Sequence, residues 1–365
     1  MKDISLTDIV NRSLTNVKQY LCCLRAAIFS HNVPKGLTRN LYARIKIAGQ
    51  ARGGRRSAQR RRSAQRRRRT QRRRRTHHLR LRLGGSGDRR GGNVQLGHAD
   101  VIYTGSMDVF WYGNASIGIK AKGISLLFDP FMPLPGASYV RTLDDFLPAP
   151  EIFITHGHLD HIQSVPALVA QGAGKVYATA SPAKNLLEQG VPKQRIQTIE
   201  PGNRLSIKAD SASEEILISV KRGRHIRFDL PLVLRTLLSP RMLRYWQNAR
   251  TLLADNRVYL ENNETVVFEV SDGNELITVL GSLALAADES YSTSPNLLIL
   301  PYQGNSHLLE LALAIVERIE PKAILLDHFD DAFPPISRQI DPTDFVESMA
   351  RLHPQIAVTI PTRCQ

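Results

Sequence analysis

From about residue 108 onward the chain alternates short apolar runs with turn residues, and this rhythm predicts most of its elements. Residues 108–112, 115–120 and 124–128 are apolar or alternating and are punctuated by Gly113, Gly118 and Gly123, which predicts strands joined by tight turns. The third ends in Asp129-Pro130, so Asp129 lies at a strand terminus. There it reads either as an Asx turn before the proline or as a carboxylate that orients a neighbouring histidine. The apolar run Ile152-Phe153-Ile154 predicts another strand. A helix-like stretch at 162–171 and a strand at 175–179 follow. Next comes a helix with Ser181 as N-cap, Pro182 in its first turn and Gly190 as its stop.

Further strands are expected at 204–208 and 216–221, and a hairpin at 265–270 and 275–280 around Asp272-Gly273. Strands at 296–300 and 323–326, an amphipathic helix at 306–319, a last helix opening at Asp341-Pro342 and a closing segment at 356–360 complete the series. Strands alternating with helices in units of this length indicate a layered α/β domain. Residues 230–254 interrupt the series with Leu, Met and Trp at helical spacing and with Arg235, Arg241, Arg244 and Arg250. They read as a helical insertion, either a lid near a site or a surface helix with a solvated basic face.

Chemistry concentrates directly after the Ile152–Ile154 run, in Thr155-His156-Gly157-His158-Leu159-Asp160-His161. Desolvated imidazoles and carboxylates cost several kcal/mol unless they find partners, and a divalent metal is the simplest partner for four of them. In extended backbone His156 and His158 point to one side and can share an ion. Asp160 and His161 follow as the chain turns into a helix and can reach a second ion. The competing reading is a polar turn with fortuitous histidines.

Charge changes the picture for the first hundred residues. They carry 26 basic against 4 acidic side chains, so the formal +16 of the 365-residue chain leaves −6 for residues 101–365. Between Arg55 and His78 a six-residue unit recurs as RRSAQR, RRSAQR, RRRTQR and RRRTHH, followed by glycine-rich segments. No core forms from such a sequence. Residues 1–100 therefore read as a disordered basic tail, as an upstream stretch included by a wrong start, or as a tether for nucleic acid or an anionic surface. Leu6, Ile9, Val10, Leu14, Val17 and Leu21 fit one amphipathic helix within it. The three cysteines, Cys22, Cys23 and Cys364, lie outside the metal-rich stretch and suggest a reducing compartment without a disulfide framework. The apolar pieces near 20–29 are short and broken by Arg25, so neither a membrane span nor a signal peptide is expected, and a cytoplasmic location follows by default.

Thr155 to His161 resembles the HxHxDH signature of the metallo-β-lactamase fold superfamily. Gly113-Asn114-Ala115-Ser116 and Leu126-Leu127-Phe128-Asp129-Pro130 are similar to its opening strands, in the style of the branch that contains L-ascorbate-6-phosphate lactonase. The resemblance spans roughly residues 108–361 and implies a four-layer αββα sandwich with metals at one edge. It implies His156, His158 and His225 as ligands of a first ion, and Asp160, His161 and His328 as ligands of a second. It also implies Gln303-Gly304-Asn305 and His307 near the substrate, although His307 reads equally as the cap of the helix that starts there. The superfamily usually has an aspartate that bridges both ions after a strand-ending glycine; here Leu280-Gly281-Ser282 occupies that place. Asp288 and Asp330 are the candidate substitutes, and one tight with one weak ion, or loss of catalysis, are the alternatives.

Imidazole and carboxylate donors suit one or two Zn²⁺ ions, with Mn²⁺ and Fe²⁺ also compatible. Such an ion lowers the pKa of bound water from about 15.7 to about 7, and Asp160 then serves as the base that holds and deprotonates that water. The expected function is a metal-dependent hydrolase acting on a small anionic ester, lactone or phosphodiester, with no membrane partner. A nuclease or nucleotide phosphodiesterase, gripping phosphate through the arginine tail and the basic residues of 230–254, is the second reading. A non-catalytic metal-binding or sensing protein is the third.

Overall fold

The computed structural model describes residues 101–361 except 209–213, 256–258 and 260. The arginine repeats, the apolar stretch near residues 6–21 and all three cysteines lie outside the described residues.

Fourteen described strands form two seven-stranded sheets in chain order. The first sheet runs β1 (Val101–Thr104), β2 (Asp108–Gly113), β3 (Ser116–Ala121), β4 (Ile124–Phe128), β5 (Glu151–Phe153), β6 (Val176–Ala178) and β7 (Ile196–Thr198). Its first four strands are antiparallel and β4 to β7 are parallel. The second sheet repeats the scheme: β8 (Arg204–Lys208), β9 (Glu215–Arg222), β10 (Val266–Ser271) and β11 (Leu276–Leu280) are antiparallel. Then β12 (Leu297–Pro301), β13 (Ala323–Asp327) and β14 (Ala357–Thr359) run parallel to β11.

Both faces of the first sheet are buried, and period-two alternation divides its side chains cleanly. Val109, Trp111, Leu126, Phe128 and Phe153 face the second sheet, while Phe110, Tyr112, Leu127, Ile152 and Ile154 face outward onto helices. Phe268 of β10 reaches across to Phe128 and Phe153 with ring centroids 5.6 and 5.5 Å apart, which locates the central core between the sheets. Helices α1 (Leu159–Ile162), α2 (Val165–Ala170) and α3 (Ala180–Glu188) cover the first sheet through Ile162, Val165, Leu168 and Leu186. Helices α7 (Leu308–Ile319) and α8 (Thr343–Leu352) add Ile315, Val316, Phe345 and Met349 to the core of the second. The result is the αββα sandwich that the resemblance implies. Between β9 and β10 the chain forms three helices, α4 (Leu230–Leu237), α5 (Pro240–Arg244) and α6 (Trp246–Asp255).

Several boundaries differ from expectation. The helix read at 162–171 begins at Leu159 and breaks at Gln163-Ser164 into α1 and α2. Thr179, not Ser181, is the N-cap of α3, because Ser181 lies inside the helix and both its backbone N–H and its hydroxyl donate to Glu264. Pro342 is the N-cap of α8, and Asp341 instead accepts from the backbone N–H and hydroxyl of Thr343. Strands β1 and β7 were not anticipated.

Candidate metal centre

Parallel strands place their carboxyl ends together, where ligand sites of α/β sheets form. Here β4 ends beside Asp129, β5 before Thr155-His156, β11 before Gly281-Ser282 and β13 at Asp327-His328. The two sheets are tied at this edge by the Val266 N–H, which donates to Thr155 O at 2.9 Å. A side chain at position 281 has no room: a Cβ there would lie 2.0 Å from Thr155 Oγ1, so glycine is what lets the loop after β11 approach.

The six expected ligand residues fall into two adjoining triads. The donor atoms of His156, His158 and His225 lie within 4.8 Å of one another, and so do those of Asp160, His161 and His328. In the first triad His156 Nε2 is 3.1 Å from His158 Nδ1. His225 Nδ1 donates to Ile226 O at 2.7 Å, leaving its Nε2 for the site. In the second, Asp160 Oδ2 is 3.1 Å from His328 Nε2 and 3.5 Å from His161 Nε2. The rings of His156 and His161 are 3.9 Å apart between centroids, so the triads form one continuous cluster.

At His156, His158, His225 and Asp160 electrostatics favour the protonation states that a cation requires, and at His328 they favour the protonated ring. Burial, then the neighbouring imidazoles, pulls His156 well below the usual histidine range, and His158 is lowered chiefly by burial. His225 is pushed down to about 4 by burial and by His158. Burial pushes the Asp160 carboxyl up, but His161 and the hydrogen bond from His328 outweigh it and hold the group ionised. Burial likewise opposes the charged form of His328, yet its contact with Asp160 raises its pKa. A proton shared between two prospective ligands is what a metal ion displaces on binding.

The residues behind the triads are built to hold them. Asp129 Oδ2 lies 2.8 Å from His161 Nδ1, and the same carboxylate accepts from the Thr155 N–H at 2.8 Å and the Thr155 hydroxyl at 2.6 Å. Asn114 donates through Nδ2 to Asp160 O at 2.9 Å, and its own carbonyl accepts from the His328 N–H at 2.8 Å. Asn114, Asp129 and His328 all adopt left-handed backbone, with φ of 50, 46 and 55°. Asn, Asp and His tolerate that region better than other non-glycine residues, and such conformations gather at functional sites.

The other residues expected near the site have partners of their own. Ser282 is buried, but its hydroxyl accepts from the Ile226 N–H at 2.9 Å, so it fixes the loop that carries His225. Neither proposed substitute for the bridging carboxylate is available in this geometry. Asp330 accepts from the Asn114 N–H, the Tyr139 hydroxyl and the Ala332 N–H, and Asp288 is exposed and paired with Arg222. Asn305 spends its side chain on Arg227 O and the His307 N–H, while the exposed His307 ring pairs with Glu310 at 3.3 Å. Asn305 thus ties the start of α7 to the loop that carries His225, and His307 is the N-cap of α7.

Sequence reasoning did not single out Asn114 as a holder of Asp160, nor Asp327. The latter is fully buried at the end of β13, with neither oxygen hydrogen-bonded among the described residues, and burial raises its pKa well above the carboxylate range. A carboxylate next to a strand-ending histidine was the only signal for it.

Similarity to known proteins is partial. No protein-family model matches the chain. A UPF0173 metal-dependent hydrolase of Brucella ovis is 32% identical over 98 residues, which is 27% of this chain and 39% of that protein. Its Brucella anthropi counterpart is 33% identical over 98 residues, 27% of this chain and 40% of that one. The match therefore spans well under half the length of these curated relatives. Among solved structures, the metallo hydrolase Igni18 of Ignicoccus hospitalis aligns with 71% of this chain and 96% of its own, at 16% identity and a TM-score of 0.47.

Proposed function

We propose that this chain is a metal-dependent hydrolase whose ions are held by His156, His158 and His225 and by Asp160, His161 and His328. One observation carries the reading: the spacing of the donor atoms. Zinc with bonds of about 2.0–2.1 Å in tetrahedral geometry keeps its ligand atoms about 3.3 Å apart. The separations of 3.1 Å for His156–His158, 3.1 Å for Asp160–His328 and 3.5 Å for Asp160–His161 bracket that value. The donor set of five imidazoles and one carboxylate suits Zn²⁺, with Mn²⁺ and Fe²⁺ as alternatives. The partial similarity to proteins named as metal-dependent hydrolases supports the same reading.

When bound, the metal supplies Lewis acidity toward water and the substrate oxygen. The chain's own contribution begins with Asp160. Its Oδ2 is engaged by His161 and His328, which leaves Oδ1 to hold the attacking water and take its proton. Asp129 keeps His161 in the tautomer that presents Nε2, and Asn114 keeps Asp160 and His328 in register. The substrate class we favour is a small anionic ester, lactone or phosphodiester, in line with the lactonase-like opening strands.

A second reading, a non-catalytic metal-binding protein, draws support from Ser282, whose hydroxyl is already committed to Ile226. The test is a panel of lactone, carboxylic ester and phosphodiester substrates offered to the zinc- and manganese-loaded full chain and to Asp160→Asn. Turnover of one class, lost in the variant, supports the hydrolase. Metal binding with no turnover across the panel supports the second reading.

A further inference from the structure

The helices between β9 and β10 display apolar residues outward. Seven of the twelve large apolar side chains that stand exposed among the described residues fall within residues 228–246, and a further one, Ile336, belongs to a loop joined to this region. Leu238 and Leu243 are 80 and 81% exposed, and Phe228, Leu234 and Trp246 also face solvent. Neither α4 nor α5 buries a single residue. A helix that covers a core points its apolar stripe inward; a concentrated apolar patch facing water marks a surface that binds something.

The same stretch is basic although the rest of the described body is acidic. Residues 227–250 carry Arg227, Arg235, Arg241, Arg244 and Arg250 against Asp229 alone. Asp229 is occupied as the N-cap of α4, accepting from the Leu232 N–H, and as an acceptor for Ser306. Arg338 joins the group by donating to Arg235 O at 3.2 Å. Its pKa is lowered by burial and then by Arg241 and Arg235, which is the mark of guanidiniums crowded together. Among the described residues none of these six arginines pairs with a carboxylate.

The patch is also fixed in place beside the metal centre. Asn248 donates to Pro135 O and Pro334 O, both at 2.9 Å, and Tyr245 packs against Gly136, where a Cβ would lie 2.2 Å from the ring. Phe228 contacts the His225 ring with centroids 5.6 Å apart.

We propose that the outer face of residues 228–246 docks on an anionic lipid bilayer, with Leu238, Leu243 and Trp246 at the acyl boundary and the arginines on lipid phosphates. Apolar side chains flanked by arginines are the composition of helices that lie in a membrane interface. No helix among the described residues is long and apolar enough to cross a membrane. A second copy of the chain fits less well, because a twofold interface sets the same patch against itself and would oppose arginine to arginine. The inference does not depend on the hydrolase reading. It departs from the expectation of no membrane partner.

The chain has two tryptophans, and Trp111 is buried. Emission that responds to lipid therefore reports Trp246. The full chain is mixed with phosphatidylcholine vesicles, with and without phosphatidylglycerol, containing brominated acyl chains. We expect a blue shift and quenching only on the anionic vesicles, both absent in Trp246→Phe. The double variant Leu238→Asp, Leu243→Asp should lose the quenching and weaken vesicle binding by about tenfold. Both substitutions are at exposed positions, so its thermal unfolding should match the parent. Vesicle binding without quenching in the parent would assign adsorption to another part of the chain and overturn the proposal. Equal quenching in the double variant would overturn it as well, as would concentration-dependent dimerisation without any lipid response.

Discussion

Asp129 Oδ2 stands 2.8 Å from His161 Nδ1, and both groups are fully buried. The carboxylate fixes the imidazole so that its other nitrogen faces Asp160, and it also clamps Thr155 at the end of the strand that delivers His156 and His158. A single side chain at the end of β4 therefore orients residues of both triads.

Replacing Asp129 with Asn keeps the volume and removes the charge. Such partners behind metal ligands typically contribute 10–100-fold in affinity. Zinc affinity of Asp129→Asn, measured by competition with a chromophoric chelator, should fall by about that factor. An unchanged affinity would separate Asp129 from the site.

Chelation should destabilise the folded chain, because a ligand that binds only the native state adds RT ln(1 + [L]/Kd). At a free zinc concentration about 100-fold above Kd this amounts to about 2.7 kcal/mol, or roughly 5–10 °C in Tm for a domain of this size. Differential scanning calorimetry with and without EDTA reads the shift.

The strands that position the triads were legible because they are long and apolar: β4, β11, β12 and β13 bury nearly every side chain and bear no competing pattern. Four of the six triad residues were legible because HxHxDH compresses four candidate donors into six residues. Strand β7 was not, since two of its three residues are only partly buried, the third is exposed, and they show no apolar run. The support from Asn114 to Asp160 and His328 was hidden for another reason. It rests on contacts between distant segments and on left-handed backbone that no local spacing signals. His307 allowed two readings, a place near the substrate or the cap of the following helix, and it is the N-cap of α7 with its exposed ring paired with Glu310.

Gly281 tests the closeness of the sheet edges. Gly281→Ala would force its Cβ against Thr155 Oγ1 and displace the strand end that leads to His156. We expect a loss of about 1–3 kcal/mol in unfolding free energy, seen in urea denaturation, together with weaker zinc binding. Wild-type values for both would show that the edge gives way freely.

Phe268 tests the core beneath the site. It contacts Phe128 and Phe153 across the sheets, and Phe268→Ala should cost about 3–5 kcal/mol in chemical denaturation. A cost below about 1 kcal/mol would contradict the facing-sheet core.

The central claim is that two adjacent triads each hold a cation. Elemental analysis of the full chain, purified without an affinity tag and equilibrated with zinc, addresses it most directly when His158→Ala and His328→Ala are measured alongside. The account predicts about two equivalents in the parent and about one in each variant. No bound zinc in the parent, or two equivalents retained in both variants, would contradict it.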